Sequence, residues 1–137
     1  MPKFSQESIS KLSTCHFDLQ KLFFEVIKYV DCTVTCGYRD KAAQEAAYAE
    51  GNTKLHFPMG NHNKLPSNAV DVYFYPVEMN NTAKFDWFAG LVMGIALKLK
   101  DEGKITHSIR WGGSWDGLGK MNSHGMLEDL VHFEIIA

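Results

Sequence analysis

The sequence predicts a single α+β domain with a small, mostly antiparallel sheet flanked by helices. The chain has 137 residues, about the length of one domain, and no repeat or linker rich in proline, glycine or serine divides it. Predicted helices alternate irregularly with short predicted strands. Several links are too short for the crossovers that parallel strands require. We therefore treat residues 1–137 as one domain.

The first helix and strand follow from spacing and composition. Apolar residues recur at helical intervals over residues 16–30, and Ser13 and Thr14 stand where an N-cap is expected. The segment 32–36 is short and rich in β-branched residues, and it is closed by Gly37, which predicts a strand.

The middle of the chain is predicted to contain a helix, a long loop and a strand. Strong helix formers fill residues 40–50 and stop at Gly51. Residues 52–68 carry proline, glycine and asparagine turn signals, and irregular loops of that length are often functional. Residues 69–75 alternate in a pattern typical of a strand.

The last part begins with a second amphipathic helix over residues 83–102, which ends at Gly103. A strand is expected within 105–111 and another over 130–136, and the segment 111–125 between them is a glycine-rich loop.

Composition excludes several classes of protein. The net charge is −2 and the pI about 6.3, which argues against a nucleic-acid partner and against charge-driven membrane binding. The longest apolar stretch, residues 85–99, is interrupted by Asp86, Gly94 and Lys98, so no membrane span is expected. No signal peptide is recognisable at the N-terminus, and the odd count of three cysteines is typical of reduced thiols in a cytosol.

Two histidines and one aspartate form a candidate metal-binding set. Asp71 is unusual because it lies inside an apolar strand pattern, and His62 precedes it by nine residues across a loop. His132 lies in the C-terminal strand pattern. Three such ligands leave a fourth position on zinc open for water, which is the catalytic arrangement. The alternatives are a solvent-facing aspartate and histidines that are satisfied within the fold.

Carboxylates near His132 could accept a proton from a metal-bound water. Asp129 and Glu128 precede the strand, and Glu134 shares a strand face with His132. Glu134 is equally consistent with a partner that orients the histidine ring.

Four blocks of the sequence resemble a known family of zinc metallopeptidases. They are GYRDKAAQ at 37–44, HNKLPSNAVD at 62–71, WGGSW at 111–115 and DLVHFE at 129–134. The family includes D-alanyl-D-alanine carboxypeptidases and phage L-alanyl-D-glutamate endopeptidases, which cut the peptide stems of bacterial peptidoglycan. The likeness covers nearly the whole chain, and it implies the fold of these peptidases, which hedgehog-type domains share.

The resemblance implies a role for each matching residue. His62, Asp71 and His132 would bind Zn²⁺, Asp129 would be the general base, and Arg39 would stabilise the oxyanion. Gln44 would support Arg39 or bind substrate, with an exposed helix position as the alternative. Ser67, Trp111 and Trp115 would contact substrate, although tryptophans in such positions are often core residues.

The chain also departs from the family pattern. Gly60 stands where many members carry serine, and Ser114 stands where aspartate is common. Four further histidines are expected to be solvated or structural rather than ligands; they are His16, His56, His107 and His124.

The implied function is that of a monomeric phage endolysin. It would stay in the host cytoplasm until the membrane is opened and then cut the L-alanyl–D-glutamate bond of the stem peptide. One alternative is a D-alanyl-D-alanine carboxypeptidase or dipeptidase. Another is a non-catalytic binding module that keeps a zinc site, as hedgehog-type domains do; Asp129 and Arg39 together favour an enzyme.

Overall fold

A computed structural model describes residues 2–115 and 127–136 of the chain. In chain order its elements are α1 (Gln6–Leu12), α2 (Phe17–Val26), β1 (Cys32–Cys36), α3 (Lys41–Ala49), a 3-10 turn (Asn61–Asn63), β2 (Ala69–Phe74), α4 (Thr82–Asp101), β3 (Ser108–Trp111), α5 (Leu127–Leu130) and β4 (His132–Ile136). The four strands form one antiparallel sheet in the order β1-β2-β4-β3. The protein is thus α+β, and its most C-terminal strand lies inside the sheet.

The N-terminal region differs from the sequence prediction. Helix α1 was not predicted; its N-cap is Ser5, whose hydroxyl accepts a hydrogen bond from the backbone N–H of Ser8. Helix α2 is capped by His16, and not by Ser13 or Thr14, because Nδ1 of His16 accepts a hydrogen bond from the N–H of Asp18.

The hydroxyl of Thr14 has a different role from the predicted cap. It donates to the carbonyl of Lys11 and accepts from the N–H of Tyr38. This side chain therefore ties the end of α1 to the segment that follows β1.

The two faces of β2 have different chemistry. Val70, Val72 and Phe74 are fully buried in the core, whereas Asp71 and Tyr73 alternate with them on the opposite face. This alternation agrees with the sequence prediction. It places polar side chains on the sheet face that the main core does not cover.

An aromatic cluster joins the sheet to α2 and α4. Phe133 of β4 packs edge-on against Phe23 of α2 and Phe88 of α4, with ring centroids 5.4 and 6.4 Å apart. Phe74 of β2 packs in the same way on Phe85, with centroids 4.6 Å apart. Burying each such ring contributes about 1.5 to 3 kcal/mol, so this face holds the sheet firmly beneath its polar side.

Helix α4 is the longest helix in the described residues, and it ends where Gly103 adopts a positive φ of 73°. No helix within 2–115 and 127–136 is both long and apolar enough to cross a membrane.

Candidate metal centre

Asp71 and His132 are brought together by strand pairing. They are direct partners in the antiparallel register of β2 and β4. Directly opposed residues project from the same sheet face with their Cβ atoms about 4.5 to 5.5 Å apart. The register alone therefore places a carboxylate beside an imidazole on the polar face.

His62 reaches the same face from the loop before β2. It lies in the 3-10 turn, and its carbonyl accepts a hydrogen bond of 2.8 Å from the N–H of Arg39. The Asn63 carboxamide closes the turn by accepting from the N–H of Gly60 at 2.9 Å. A Cβ at Gly60 would lie 2.9 Å from Oδ1 of Asn63, so a serine there would require this buried amide to move. The departure at Gly60 is thus matched to this turn.

One donor atom from each of the three side chains lies at the corner of a small triangle. Nε2 of His62 is 3.2 Å from Oδ1 of Asp71 and 3.3 Å from Nδ1 of His132, and the latter two atoms are 3.4 Å apart. A tetrahedral zinc ion with bonds of about 2.0 to 2.1 Å to nitrogen separates its ligand atoms by about 3.3 to 3.4 Å. The triangle has the dimensions of one face of such a site.

The second nitrogen of each histidine faces a hydrogen-bond acceptor. Nδ1 of His62 lies 2.7 Å from the carbonyl oxygen of Gly37, and Nε2 of His132 lies 2.7 Å from Oε1 of Glu134. When these nitrogens donate, the lone pairs of the other two point into the triangle. Both rings are therefore held in the tautomer that a metal ion requires.

Charge in the cluster is balanced among these groups. Burial disfavours the Asp71 carboxylate, but the two neighbouring histidines hold the pKa of that carboxyl well below its usual range. Burial likewise opposes charge on His62 and His132, yet Asp71 raises the pKa of both imidazoles. The carboxylate and the imidazoles each favour the ionised form because of the opposite charge on the other. A divalent cation next to the same carboxylate can therefore replace the histidine protons.

Cys36 is a further potential ligand near the triangle. It pairs with Asp71 across β1 and β2, and it forms with His62 and Asp71 a group whose donor atoms lie within 4.8 Å of one another. Its Sγ is 3.7 Å from Nδ1 of His62, the nitrogen that faces the Gly37 carbonyl. The thiol therefore stands behind the histidine ring rather than within the triangle.

Arg39 lies beside Asp71 and is held by a buried glutamine. Its Nη1 donates to Oε1 of Gln44 at 3.0 Å, and its Nη2 is 3.8 Å from Oδ2 of Asp71. Gln44 is 1% exposed, accepts a second hydrogen bond from Asn63 and donates to the carbonyl of Leu55. Of the two roles open for Gln44, the contacts favour support of Arg39.

A cleft of about 620 Å³ opens over these groups. The triangle and Arg39 line it together with Asp129 and Trp115, and residues 51–55 form another part of the wall. A Cβ at Gly112 would overlap the carbonyl oxygen of Asp129, so only glycine lets the end of β3 approach that residue. This approach brings Asp129 to the same cleft as the triangle.

Trp115 covers one side of His132. Its ring centroid is 5.6 Å from that of His132, and 38% of the residue is exposed. Such a side chain can contact both His132 and a molecule in the cleft.

Two residues predicted to contact substrate are placed elsewhere. Ser67 is fully buried, and its hydroxyl donates to the carbonyl of Ala69 at 2.6 Å. Trp111 is 6% exposed, packs in the hydrophobic core and donates to the carbonyl of Leu130. Neither side chain is among those that line the cleft, because each is used to hold the fold together.

The other histidines within 2–115 have local partners. His56 pairs with Glu45 at 2.7 Å, outside the triangle. His16 and His107 form a group with Asp18, in which Oδ2 of Asp18 accepts hydrogen bonds from the N–H and Nδ1 of His107. That group fastens the link before β3 to the start of α2. His124, the side chain of Glu128 and the glycine-rich segment 116–125 lie outside the described residues.

Sequence reasoning missed two polar contributors, Asn63 and Arg110. Asn63 lies inside a matching motif, and its role as a link between Gln44 and the backbone of Arg39 has no signature beyond that motif. Arg110 faces Glu134 across β3 and β4, and an alternation of polar and apolar residues before Trp111 was the available signal. Glu134 itself is 4% exposed and bonded to His132, which favours the orienting role over that of a base.

Comparisons with known proteins give this chain a family and a similar fold. The sequence matches the family described as phage L-alanyl-D-glutamate peptidase over residues 1–136. No curated protein sequence gives a significant match. The crystal structure of the L-Ala D-Glu endopeptidase ChiX from Serratia marcescens is similar in fold, with a TM-score of 0.71, 23% sequence identity, and coverage of 98% of this chain and 90% of that chain. Because the family match spans nearly the whole sequence, the chain belongs to the phage L-alanyl-D-glutamate peptidases and is a peptidase of peptidoglycan.

Proposed function

We propose that the chain cuts the L-alanyl–D-glutamate bond of the peptidoglycan stem with a zinc ion bound by His62, Asp71 and His132. The observation that carries this proposal is the triangle of donor atoms with edges of 3.2 to 3.4 Å. Two nitrogens and one carboxylate oxygen suit zinc, and three protein ligands leave a position for water.

Zinc bound there would supply a Lewis acid and lower the pKa of a water molecule. Asp129 lines the same cleft and would accept the proton of the attacking water, then deliver it to the departing amine. Arg39 also lines the cleft, and its fixed cation would stabilise the negative charge that develops on the carbonyl oxygen. Gln44 keeps the Arg39 guanidinium in place.

The proposed substrate is a peptide in an extended form that lies along the cleft. Trp115 offers an apolar surface beside His132, whereas the exposed Lys54 offers a positive charge among residues 51–55. Stem peptides carry carboxylates, so a cation in the wall fits this class of substrate. We further propose that the chain is a monomeric endolysin that waits in the host cytoplasm and reaches the wall after the membrane is opened.

The test is mass spectrometry of purified peptidoglycan digested by the protein as isolated, with chelator, and with chelator followed by zinc. The proposal predicts stem fragments with a new N-terminal D-glutamate or D-isoglutamine, which disappear on chelation and return with zinc. Asp129→Ala provides the matched control, because it keeps the proposed ligands.

Other products would identify other functions. Released D-alanine or D-alanyl-D-alanine would assign the chain to carboxypeptidases or dipeptidases. Zinc binding without any product would support a binding module and contradict the proposed cleavage.

A further inference from the structure

We infer that Arg110 is a positioning residue for the metal centre, and that it holds both Glu134 and Trp115 against His132. The inference rests on the proposed zinc site. It goes beyond the proposed reaction because it assigns a single residue of β3 to metal retention and to the shape of the cleft wall.

Arg110 first fixes the carboxylate that orients His132. Arg110 and Glu134 are direct partners in the register of β3 and β4, and Nη2 of Arg110 contacts Oε2 of Glu134. The other oxygen of Glu134 lies 2.7 Å from Nε2 of His132. The contacts therefore form a continuous chain from arginine through carboxylate to metal ligand.

The burial of Glu134 makes this partner necessary. The Glu134 side chain is 5% exposed, and an unpaired buried carboxylate is costly. When Glu134 accepts the hydrogen bond from the Nε2–H group of His132, the lone pair of Nδ1 is free for a metal.

The guanidinium also supports the wall of the cleft. Cζ of Arg110 lies 5.5 Å from the centre of the Trp115 ring, and that ring packs on His132. Arg110 thus contacts both Glu134, which hydrogen-bonds His132, and the Trp115 ring, which packs on His132. A planar guanidinium can pair with a carboxylate through its edge and meet an aromatic ring through its face, which an ammonium cannot do.

One polar atom of Arg110 is buried without a hydrogen bond in this position. Its Nε is buried and has no hydrogen-bond partner in the described part of the chain. Buried N–H groups are nearly always paired, and an unpaired one carries a desolvation cost. The cost is consistent with a side chain held by its two functional contacts.

The test compares Arg110→Met and Arg110→Lys with wild type in their zinc-loaded forms. Competition with a fluorescent chelator measures zinc affinity, and melting of the metal-free proteins measures the fold separately. We expect Arg110→Met to bind zinc about 10-fold more weakly or worse, within the range seen when partners of metal ligands are removed. Arg110→Lys should retain more zinc affinity but show a higher KM on stem peptide with a smaller change in kcat.

Ser108→Ala is the matched control, because Ser108 lies on the same strand and face as Arg110 and its hydroxyl accepts a hydrogen bond from the exposed Lys100. It should change neither zinc affinity nor KM. If Arg110→Met retained wild-type zinc affinity, or if Ser108→Ala lost as much, the inference would be overturned.

A double variant distinguishes positioning from general destabilisation. If Arg110 acts through Glu134, Arg110→Met combined with Glu134→Gln should lose little more zinc affinity than Glu134→Gln alone. Fully additive losses would contradict the inference. A wild-type protein that binds zinc but cuts no stem peptide would overturn the proposed function alone, whereas one that binds no zinc would overturn both.

Discussion

Asp71 and His132 lie opposite each other on β2 and β4, with Oδ1 of the aspartate 3.4 Å from Nδ1 of the histidine. Two of the three proposed metal ligands are therefore positioned by backbone pairing at the centre of the sheet. Since a shift of one residue would turn one of them to the apolar face, the register that protects the core also preserves the site.

Replacing His132 should remove both zinc and peptidase activity. His132→Ala deletes one of three proposed ligands and leaves Glu134 without its imidazole partner. Metal analysis of the purified variant measures the effect. His56→Ala is the control because His56 pairs with Glu45 away from the triangle, and it should keep one zinc per chain. Full zinc occupancy in His132→Ala would remove this residue from the ligand set.

Replacing Asp129 should separate chemistry from metal binding. Asp129→Ala is expected to lower kcat by about 10²- to 10⁴-fold, the usual contribution of a general base, while zinc remains bound. Peptide hydrolysis and metal content are measured on the same sample. Asp86→Ala, which changes an exposed aspartate of α4, should leave both unchanged. Near-normal turnover in Asp129→Ala would contradict the assigned role.

Zinc affinity should increase as the pH rises through neutrality. Burial lowers and Asp71 raises the pKa of His62 and His132, with the net result above the ordinary value of 6.5, so the metal-free site holds protons that zinc must displace. Calorimetry at pH 7 in two buffers with different ionisation enthalpies should detect protons released on binding. Equal heats in the two buffers and an affinity independent of pH would argue against histidine ligands.

The same shifts predict the opposite trend for the metal-free fold. Histidines with raised pKa values stabilise the folded state below pH 6.5, and this contribution is lost as the pH rises through their folded values. The melting temperature of the metal-free protein should therefore decrease with rising pH over that interval, whereas zinc-loaded protein should not show this loss. Melting curves with and without chelator from pH 6 to pH 10 would measure the difference, because the pKa of His62 is raised to about 10.

Gln44 should contribute to stability as well as to activity. Gln44→Leu removes hydrogen bonds to Arg39, Asn63 and Leu55 and leaves buried polar groups unpaired, at a cost of about 1 to 3 kcal/mol. Urea unfolding measures the free energy of unfolding. Gln6→Leu on the exposed face of α1 serves as the control. An equal loss in the free energy of unfolding for this variant would show that the hydrogen bonds of Gln44 do not contribute specifically to stability.

The fold class and the long elements could be predicted because their signals are local. The apolar stripes of α2 and α4 and the alternation in β2 appear directly in the sequence. Helix α1 could not be predicted in this way, because it buries Ser8 and Leu12 and most of its other residues are polar. Its stability comes from packing against β1 and from the Ser8 hydroxyl, which accepts from the N–H of Val34.

The candidate site was also only partly predictable from the sequence. The blocks that resemble the peptidase family include the triangle, Arg39, Asp129 and Trp115, which the structure brings into one cleft. Burial could not be anticipated for Ser67, because serine serves equally well in clefts and interiors, whereas for Trp111 the structure agrees with the core alternative stated from the sequence. Arg110 escaped notice because its partner, Glu134, lies 24 residues away and the pairing of β3 with β4 is visible only in the fold.

The position of β4 also affects when the site can exist during synthesis. This strand is the last described element of the chain, yet it lies between β2 and β3, and it carries a histidine 70 residues beyond its partner His62. A nascent chain that has not released β4 from the ribosome has two of three proposed ligands and an incomplete hydrophobic interior. Because such distant pairing forms late and slowly, acquisition of the metal and completion of the sheet should be a single event. The site should therefore stay inactive until β4 has paired with β2 and β3.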